Sequence, residues 1–160
     1  MDIASLATGV LKGLWKAVEA VWAFFSSPMV EVLQPGTVFG RFGRDQFALL
    51  LKLKFRNESE RPTLVRLVRV LWRDQWYDPQ PRLPSRVGLD TAHGSHGQRF
   101  EAQESLMETP RIPPVEQVER YALFLLPEPG EPFPTTMEFT VEVVFSRGKS
   151  RKLPVMVPAQ

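Results

Sequence analysis

Residues 47–72, FALLLKLKFRNESERPTLVRLVRVLW, decide the fold of this chain. In the first half of this stretch an apolar residue stands at every second position: Phe47, Leu49, Leu51, Leu53 and Phe55. Because successive side chains of a β-strand point to opposite faces, this alternation predicts a strand with one buried face and one largely solvated, basic face. The polar residues 57–62 then predict a turn.

The second half, residues 63–72, predicts another strand with a different pattern. Its apolar residues occupy both phases of the alternation, and Arg66 and Arg69 interrupt them. A central strand that contains a bulge explains this pattern better than an edge strand does, because a bulge shifts the phase by one residue.

Most of the chain after Pro28 continues the β pattern. Further strands are predicted at 29–33, 37–42 and 115–126, a closing hairpin at 137–157, and a less certain strand at 103–108. Residues 76–104 are the least regular part, and we interpret 93–97, HGSHG, as a flexible loop. Seven or more short strands predict a mainly β chain that forms an antiparallel sandwich.

The stretch 47–72 resembles a pair of adjacent strands in an immunoglobulin-like or fibronectin-type-III-like sandwich. The resemblance implies the sandwich fold, with Trp72 as the core tryptophan, and implies no functional residue. The chain has no cysteine, so the cysteine pair of true immunoglobulin domains is missing.

The N-terminal segment, residues 3–25, IASLATGVLKGLWKAVEAVWAFF, has a helical rather than a β period. Its apolar residues recur at alternating spacings of three and four, which is a heptad pattern. We therefore divide the chain into an apolar, amphipathic helix at 1–27 and a β-sandwich at 28–160. The residues predicted to form a membrane or oligomer interface are Leu11, Leu14, Trp15, Val18, Val21, Trp22 and Phe25.

Three environments suit such a helix: a membrane interface, a bundle or partner protein, and its own domain. A lone transmembrane span is disfavoured, because Lys12, Lys16 and Glu19 would cost about 8–10 kcal/mol against about 3–5 returned by the apolar residues. A cleavable signal peptide is not expected, since Asp2 replaces the basic start of such peptides. A cytoplasmic or membrane-associated location is favoured.

The sequence gives no sign of catalysis or of a bound cofactor. It contains no nucleophile elbow, phosphate-binding loop or zinc-protease motif, and His93 and His96 with Asp90 are too few to predict a metal site. The net charge of +2 gives no reason to expect a specific nucleic-acid partner. We predict a protein that is not an enzyme, with no cofactor, no metal and no small-molecule substrate.

A second surface is suggested by the aromatic and basic residues that follow the strand at 63–72. Arg73, Trp76 and Tyr77 have the composition of a protein-binding hot spot, although they would equally suit packing under the next proline-rich loop. The predicted function is a non-enzymatic interaction or scaffold protein attached to a membrane or larger assembly through its helix. The alternative is a self-assembling structural protein, such as a filament or virion component, whose helices form an oligomeric bundle.

Composition adds one expectation about the source. Asn57 is the only asparagine, and the 15 prolines fall mainly in predicted loops. Few thermolabile residues and many loop prolines are typical of thermophilic proteins.

Overall fold

The computed structural model describes residues 9–18, 21, 28–146 and 149–159 of the 160-residue chain. Residues 9–18 and 21 are helical, and the remainder forms two antiparallel sheets in a sandwich-like arrangement. The prediction of a mainly β sandwich preceded by one helix is therefore confirmed. Its immunoglobulin-like or fibronectin-like identity stays a prediction.

The first sheet has six strands. They are β1 (Met29–Val32), β2 (Val38–Phe42), β3 (Gln46–Asn57), β6 (Arg86–Thr91), β7 (Gly94–Arg99) and β9 (Glu116–Leu126). The long strand β3 is its centre, because β9 pairs with it from Phe47 to Asn57 while β1 and β2 lie end to end along its other edge. β2 then leads to β6, and β7 forms the outer edge.

The second sheet has five strands. They are β4 (Thr63–Trp72), β5 (Gln75–Tyr77), β8 (Arg111–Ile112), β10 (Thr136–Phe145) and β11 (Ser150–Pro158). β4 is central, with β10 on one edge and β5 and β8 on the other. The two halves of residues 47–72 thus belong to opposite sheets and do not pair with each other.

The mixed pattern of β4 comes from a bulge. Val144 and Phe145 are consecutive on β10, yet they pair with Leu67 and Val65, which leaves Arg66 as the extra residue. Val65 is buried before the bulge and Val68 after it, so the inward-facing phase changes there. This is the phase shift that the sequence predicts for a central, bulged strand.

The main core lies between the two sheets. Its largest side chains are aromatic, and several ring pairs join strands of different sheets, such as Phe55 with Phe145 at 6.2 Å and Phe39 with Phe139 at 6.2 Å. Trp72 is buried in this core and contacts Phe139, with their ring centroids 6.3 Å apart. Aromatic pairs at these distances stabilise a core beyond their buried area.

A second core covers the outer face of the six-stranded sheet, which the alternation in β3 does not predict. Ala48 and Leu50, expected on the solvated face, are fully buried with Val87, Leu89 and other residues. The hairpin β6–β7 supplies this cover, and the basic residues Lys52, Lys54 and Arg56 of that face remain partly or fully accessible. The prediction of one largely solvated face is therefore wrong for the first half of β3.

Two local predictions in residues 76–108 are also wrong. Residues 93–97 are not a flexible loop, because Gly94–Arg99 is strand β7, which pairs with β6 through a tight turn after Thr91. Residues 103–108 are not a strand, because Ala102–Glu104 forms a 3₁₀ helix that is closed by a capping box between Glu101 and Glu104. Backbone pairing and capping, rather than side-chain hydrophobicity, determine both structures.

The double burial of β3 can be tested by comparing Leu50 with Leu51, which face opposite cores and are both fully buried. We expect Leu50→Ala and Leu51→Ala each to lower the free energy of unfolding by about 2–5 kcal/mol, measured by urea denaturation. Lys54→Ala is the control on the accessible part of the strand and should change stability by less than about 0.5 kcal/mol. A near-neutral Leu50→Ala would contradict the second core.

Candidate interaction surfaces

The N-terminal helix presents an apolar face to solvent. At about 100° per residue, positions 11, 14, 15, 18 and 21 fall on one side of a helix. These side chains range from 45% exposed at Val18 to 67% exposed at Trp15. Neither hydrophobic cluster contains any of the described helical residues. We call this face the helix stripe, and it consists of Leu11, Leu14, Trp15, Val18 and Val21.

The rest of the described helix is equally open. A β-carbon added at Gly9 or Gly13 would meet no atom of the sandwich within 4 Å. Lys12 and Lys16 lie beside Trp15 at the border of the helix stripe, three residues before it and one after it. Among the described residues, no helix combines the length and hydrophobicity needed to cross a membrane. Two predicted interface positions, Trp22 and Phe25, lie outside the described residues.

Trp76 faces outward from the five-stranded sheet and is part of a ladder of side chains across three strands. The Arg69 guanidinium lies 4.1 Å from the centroid of the Trp76 ring, in a cation–π contact. The same guanidinium donates a 2.6 Å hydrogen bond from Nε to Glu142 Oε2. Glu142 is only 7% exposed, although it lies on the outer side of β10. The ladder therefore holds one buried carboxylate and one half-buried indole in fixed positions.

The other two residues of the predicted hot spot do not share this outer face. Tyr77 packs against the inner core, with its ring 6.3 Å from Trp72. Arg73 sits at the turn after β4, where its guanidinium lies 4.5 Å from the Trp72 ring centroid and donates to the Pro129 carbonyl. The structure therefore places Arg73, Trp76 and Tyr77 in three different environments, with only Trp76 on the outer sheet surface.

On the outer side of this sheet, Arg69, Glu142 and Lys152 form a charged row, and a more apolar row lies on each side of it. Cross-strand pairing aligns Trp76, Leu71, Thr140 and Pro154 in one row, and Leu67 with Val144 in another. These side chains are partly or fully accessible, and they belong to neither hydrophobic cluster. We call this surface the open face, and it consists of Leu67, Arg69, Leu71, Trp76, Glu138, Thr140, Glu142, Val144, Lys152, Pro154 and Met156.

A depression of about 400 Å³ lies at the turn end of the open face. Leu71 and Met156 contribute its apolar walls, and Asp74 and Glu138 contribute carboxylates. Met156 is 58% exposed. The open face thus combines an apolar depression with acidic groups at its rim.

The two histidines lie on and beside β7. His96 faces the covered side of the hairpin, and its Nε2 is buried without a hydrogen-bond partner among the described residues. Within the described part of the chain, no group of three histidine, cysteine, aspartate or glutamate side chains is arranged to hold a metal ion.

The sequence-based prediction included Trp76 but missed the ladder that joins it to Arg69 and Glu142. They are 73 residues apart in the chain, and only the register of β4 against β10 brings them together. One sequence signal was available, because Glu142 is an acid inside the strongly apolar run 139–145. A charged residue there needs a partner when buried.

No protein-family model matches this chain, and the comparison with curated proteins finds no match either. Among solved structures, a predicted lipoprotein from Bacillus subtilis aligns at 10% identity and a TM-score of 0.44, over 84% of this chain and 37% of its own. The apo PCuAC domain from PmoF1 aligns at 13% identity and a TM-score of 0.39, over 82% of this chain and 94% of its own. These are similarities of β-rich architecture only.

Glu142 is more buried than its partner Arg69, and the effect of this difference on stability can be measured. Arg69→Ala leaves the buried Glu142 carboxylate without its partner, whereas Glu142→Ala leaves a guanidinium that is better exposed to water. We expect Arg69→Ala to cost the larger share of stability, about 3–5 kcal/mol, and the double variant to recover part of that loss. Urea denaturation of all three variants gives the coupling energy. Arg66→Ala, at the bulge, is the control, and additive losses would contradict the coupling.

Proposed function

We propose that this chain is a non-enzymatic interaction or scaffold protein, in which a β-sandwich is attached to a membrane or a larger assembly through its N-terminal helix. The observation that carries the proposal is the exposure of the whole helix stripe, from 45% to 67%. Contiguous apolar patches on a protein surface mark interaction sites more often than isolated apolar residues do.

The energetics favour burial of the helix stripe against a partner. Complete burial of one large aliphatic or aromatic side chain is worth about 1.5–3 kcal/mol. The five residues of the stripe already expose about half of their surface or more. Docking them therefore offers several kcal/mol, which is enough to drive association after part of it is offset by lost freedom of motion.

The sandwich already has both of its cores without the helix. Neither core includes a described helical residue, and the inter-sheet core consists of strand residues together with Leu106 and Ala159 from outside the strands. This independence supports a division of labour in which the sandwich is a folded unit and the helix attaches it. The non-enzymatic part of the proposal rests on the sequence, which has no cysteine and no recognised nucleophile motif.

Removal of residues 1–27 tests the division of labour. We expect the shortened protein to unfold at nearly the same urea concentration as the full chain, because both cores remain intact. It should also lose binding to vesicles or assembly into oligomers, as measured by flotation and by light scattering. If the shortened protein does not fold, and the full chain is a monomer that ignores vesicles, the proposal fails.

A second candidate is a self-assembling structural protein whose helices form a bundle. It is favoured by one observation, the heptad spacing of Leu11, Leu14, Val18 and Val21 together with their exposure. Apolar residues at alternating spacings of three and four are typical of helices that pack on one another in coiled coils.

Single charges on the helix stripe distinguish membrane attachment from assembly. We expect Leu14→Glu and Val21→Glu each to reduce association at least tenfold, because each buries a carboxylate in an apolar contact. Gly13→Glu adds the same charge on the opposite side, where space is open, and should leave association unchanged. Oligomers that persist without lipid and dissociate with either variant indicate assembly, whereas association that requires vesicles indicates membrane attachment. Equal effects of all three variants would exclude the helix stripe as the interface.

A further inference from the structure

The two outer faces of the sandwich are not equivalent. The hairpin β6–β7 covers the outer face of the six-stranded sheet and buries Leu50 and Leu123 beneath it. No comparable element among the described residues covers the open face of the five-stranded sheet, where Leu71 and Val144 remain partly accessible. Two apolar surfaces therefore lack a cover among the described residues, the helix stripe and the open face.

The two surfaces match in size. The helix stripe runs from Leu11 to Val21, which is about 15 Å at 1.5 Å per residue. The four strands β11, β10, β4 and β5 span roughly 14 Å across the open face at about 4.8 Å per strand. A helix of about 10 Å diameter can lie over the central strands with its whole stripe in contact.

Their charges are also complementary at one end. Lys12 and Lys16 border the helix stripe beside Trp15. On the open face, Asp74 and Glu138 line the depression that also contains Leu71 and Met156. Arg73, the one cation in this lining, stacks on Trp72 and donates to the Pro129 carbonyl.

We infer that the open face binds the N-terminal helix of a second copy of this chain. The Trp15 ring occupies the depression at the turn end of the sheet, and Lys12 and Lys16 pair with Glu138 and Asp74. This inference rests on the proposed function, since it names the partner of the helix stripe, and it makes the larger assembly a homo-oligomer.

A second copy fits better than the same chain for a topological reason. The strand that follows the helix, β1, belongs to the six-stranded sheet. The open face is the outer surface of the five-stranded sheet, to which β1 does not belong, and the helix stripe of the same chain is exposed instead of docked on that surface. The described helical residues also contact neither core of their own chain.

The ladder of Arg69, Trp76 and Glu142 gives the open face a fixed shape before docking. Trp76 is held by the guanidinium at 4.1 Å, and that guanidinium is held by the carboxylate at 2.6 Å. Pre-ordered side chains lose little freedom on binding, which favours association. A helix placed across the ladder would contact an indole and two rows of mainly apolar side chains.

Site-specific crosslinking tests the contact directly, because the natural chain has no cysteine. Val18→Cys is placed on the helix of a tagged copy and Thr140→Cys on the open face of an untagged copy. With a short bismaleimide, we expect the mixture to give a crosslinked species that contains both copies. Gly88→Cys, on the outside of the β6–β7 hairpin with open space around it, is the matched control and should give none.

Charge reversal tests the predicted orientation in the full chain. Glu138→Lys and Lys12→Glu/Lys16→Glu should each weaken self-association about fivefold or more, as measured by sedimentation, and their combination should restore it. A crosslink between the copies together with this rescue would support the inference.

The other outcomes overturn the inference in distinguishable ways. If Leu14→Glu dissociates the oligomer but Glu138→Lys has no effect and no crosslink forms, the helices bind one another. If the two single-cysteine copies give no crosslink, but a monomeric chain that carries both Val18→Cys and Thr140→Cys crosslinks internally, the helix docks on its own sandwich. If association needs vesicles, the partner is a membrane, and the proposed function survives without the inference. A chain that neither self-associates nor binds vesicles refutes both.

Discussion

The structure depends on the burial of β3 on both faces. Residues 47–51 of this strand are at most 6% exposed, and its two edges are occupied by β9 on one side and by β1 and β2 on the other. A strand that is enclosed in all four directions needs a sheet on one face and a cover on the other. The five-stranded sheet meets the first need and the hairpin β6–β7 meets the second, so the placement of both follows from one apolar stretch.

Among the described residues, a covering hairpin lies over only one of the two outer sheet faces. The hairpin covers the outer face of the six-stranded sheet. The open face has instead a salt bridge, in which Arg69 offsets the cost of burying the Glu142 carboxylate. A charged row between apolar rows also disfavours association of the sheet with partners that lack complementary charge. In the proposed interaction, the open face would select its partner by charge, whereas a continuous apolar sheet would bind apolar surfaces in general.

The sequence correctly predicts those strands whose hydrophobic pattern can be recognised within the strand itself. The alternation in β3, β9 and β10 and the phase change in β4 are local patterns, and each corresponds to a strand in the structure. The burial of Leu50 and the strand β7 could not be predicted in this way. Leu50 is covered by residues about 40 positions away, and β7, with the sequence GSHGQR, has almost no hydrophobic signal.

The candidate surfaces show the same division between local and long-range information. The helix stripe is a property of spacing along one segment, so its residues could be named from the sequence. The ladder around Trp76 requires the register of β4 against both β5 and β10, and for that reason Glu142 and the contacts of Arg69 were missed. Tyr77, one residue from Trp76, faces the opposite side of the sheet, as the alternation of a strand requires.

The helix and the sandwich also differ in the origin of their stability. The sandwich is stabilised by its own two cores, whereas the described helical residues contain two glycines, Gly9 and Gly13, each of which weakens a helix by about 1 kcal/mol relative to alanine. Most helices in proteins are stabilised by packing of their apolar face rather than by intrinsic propensity. Under the proposed function, a partner would supply both the burial of the helix stripe and part of its helical order, so attachment and helix formation would be coupled.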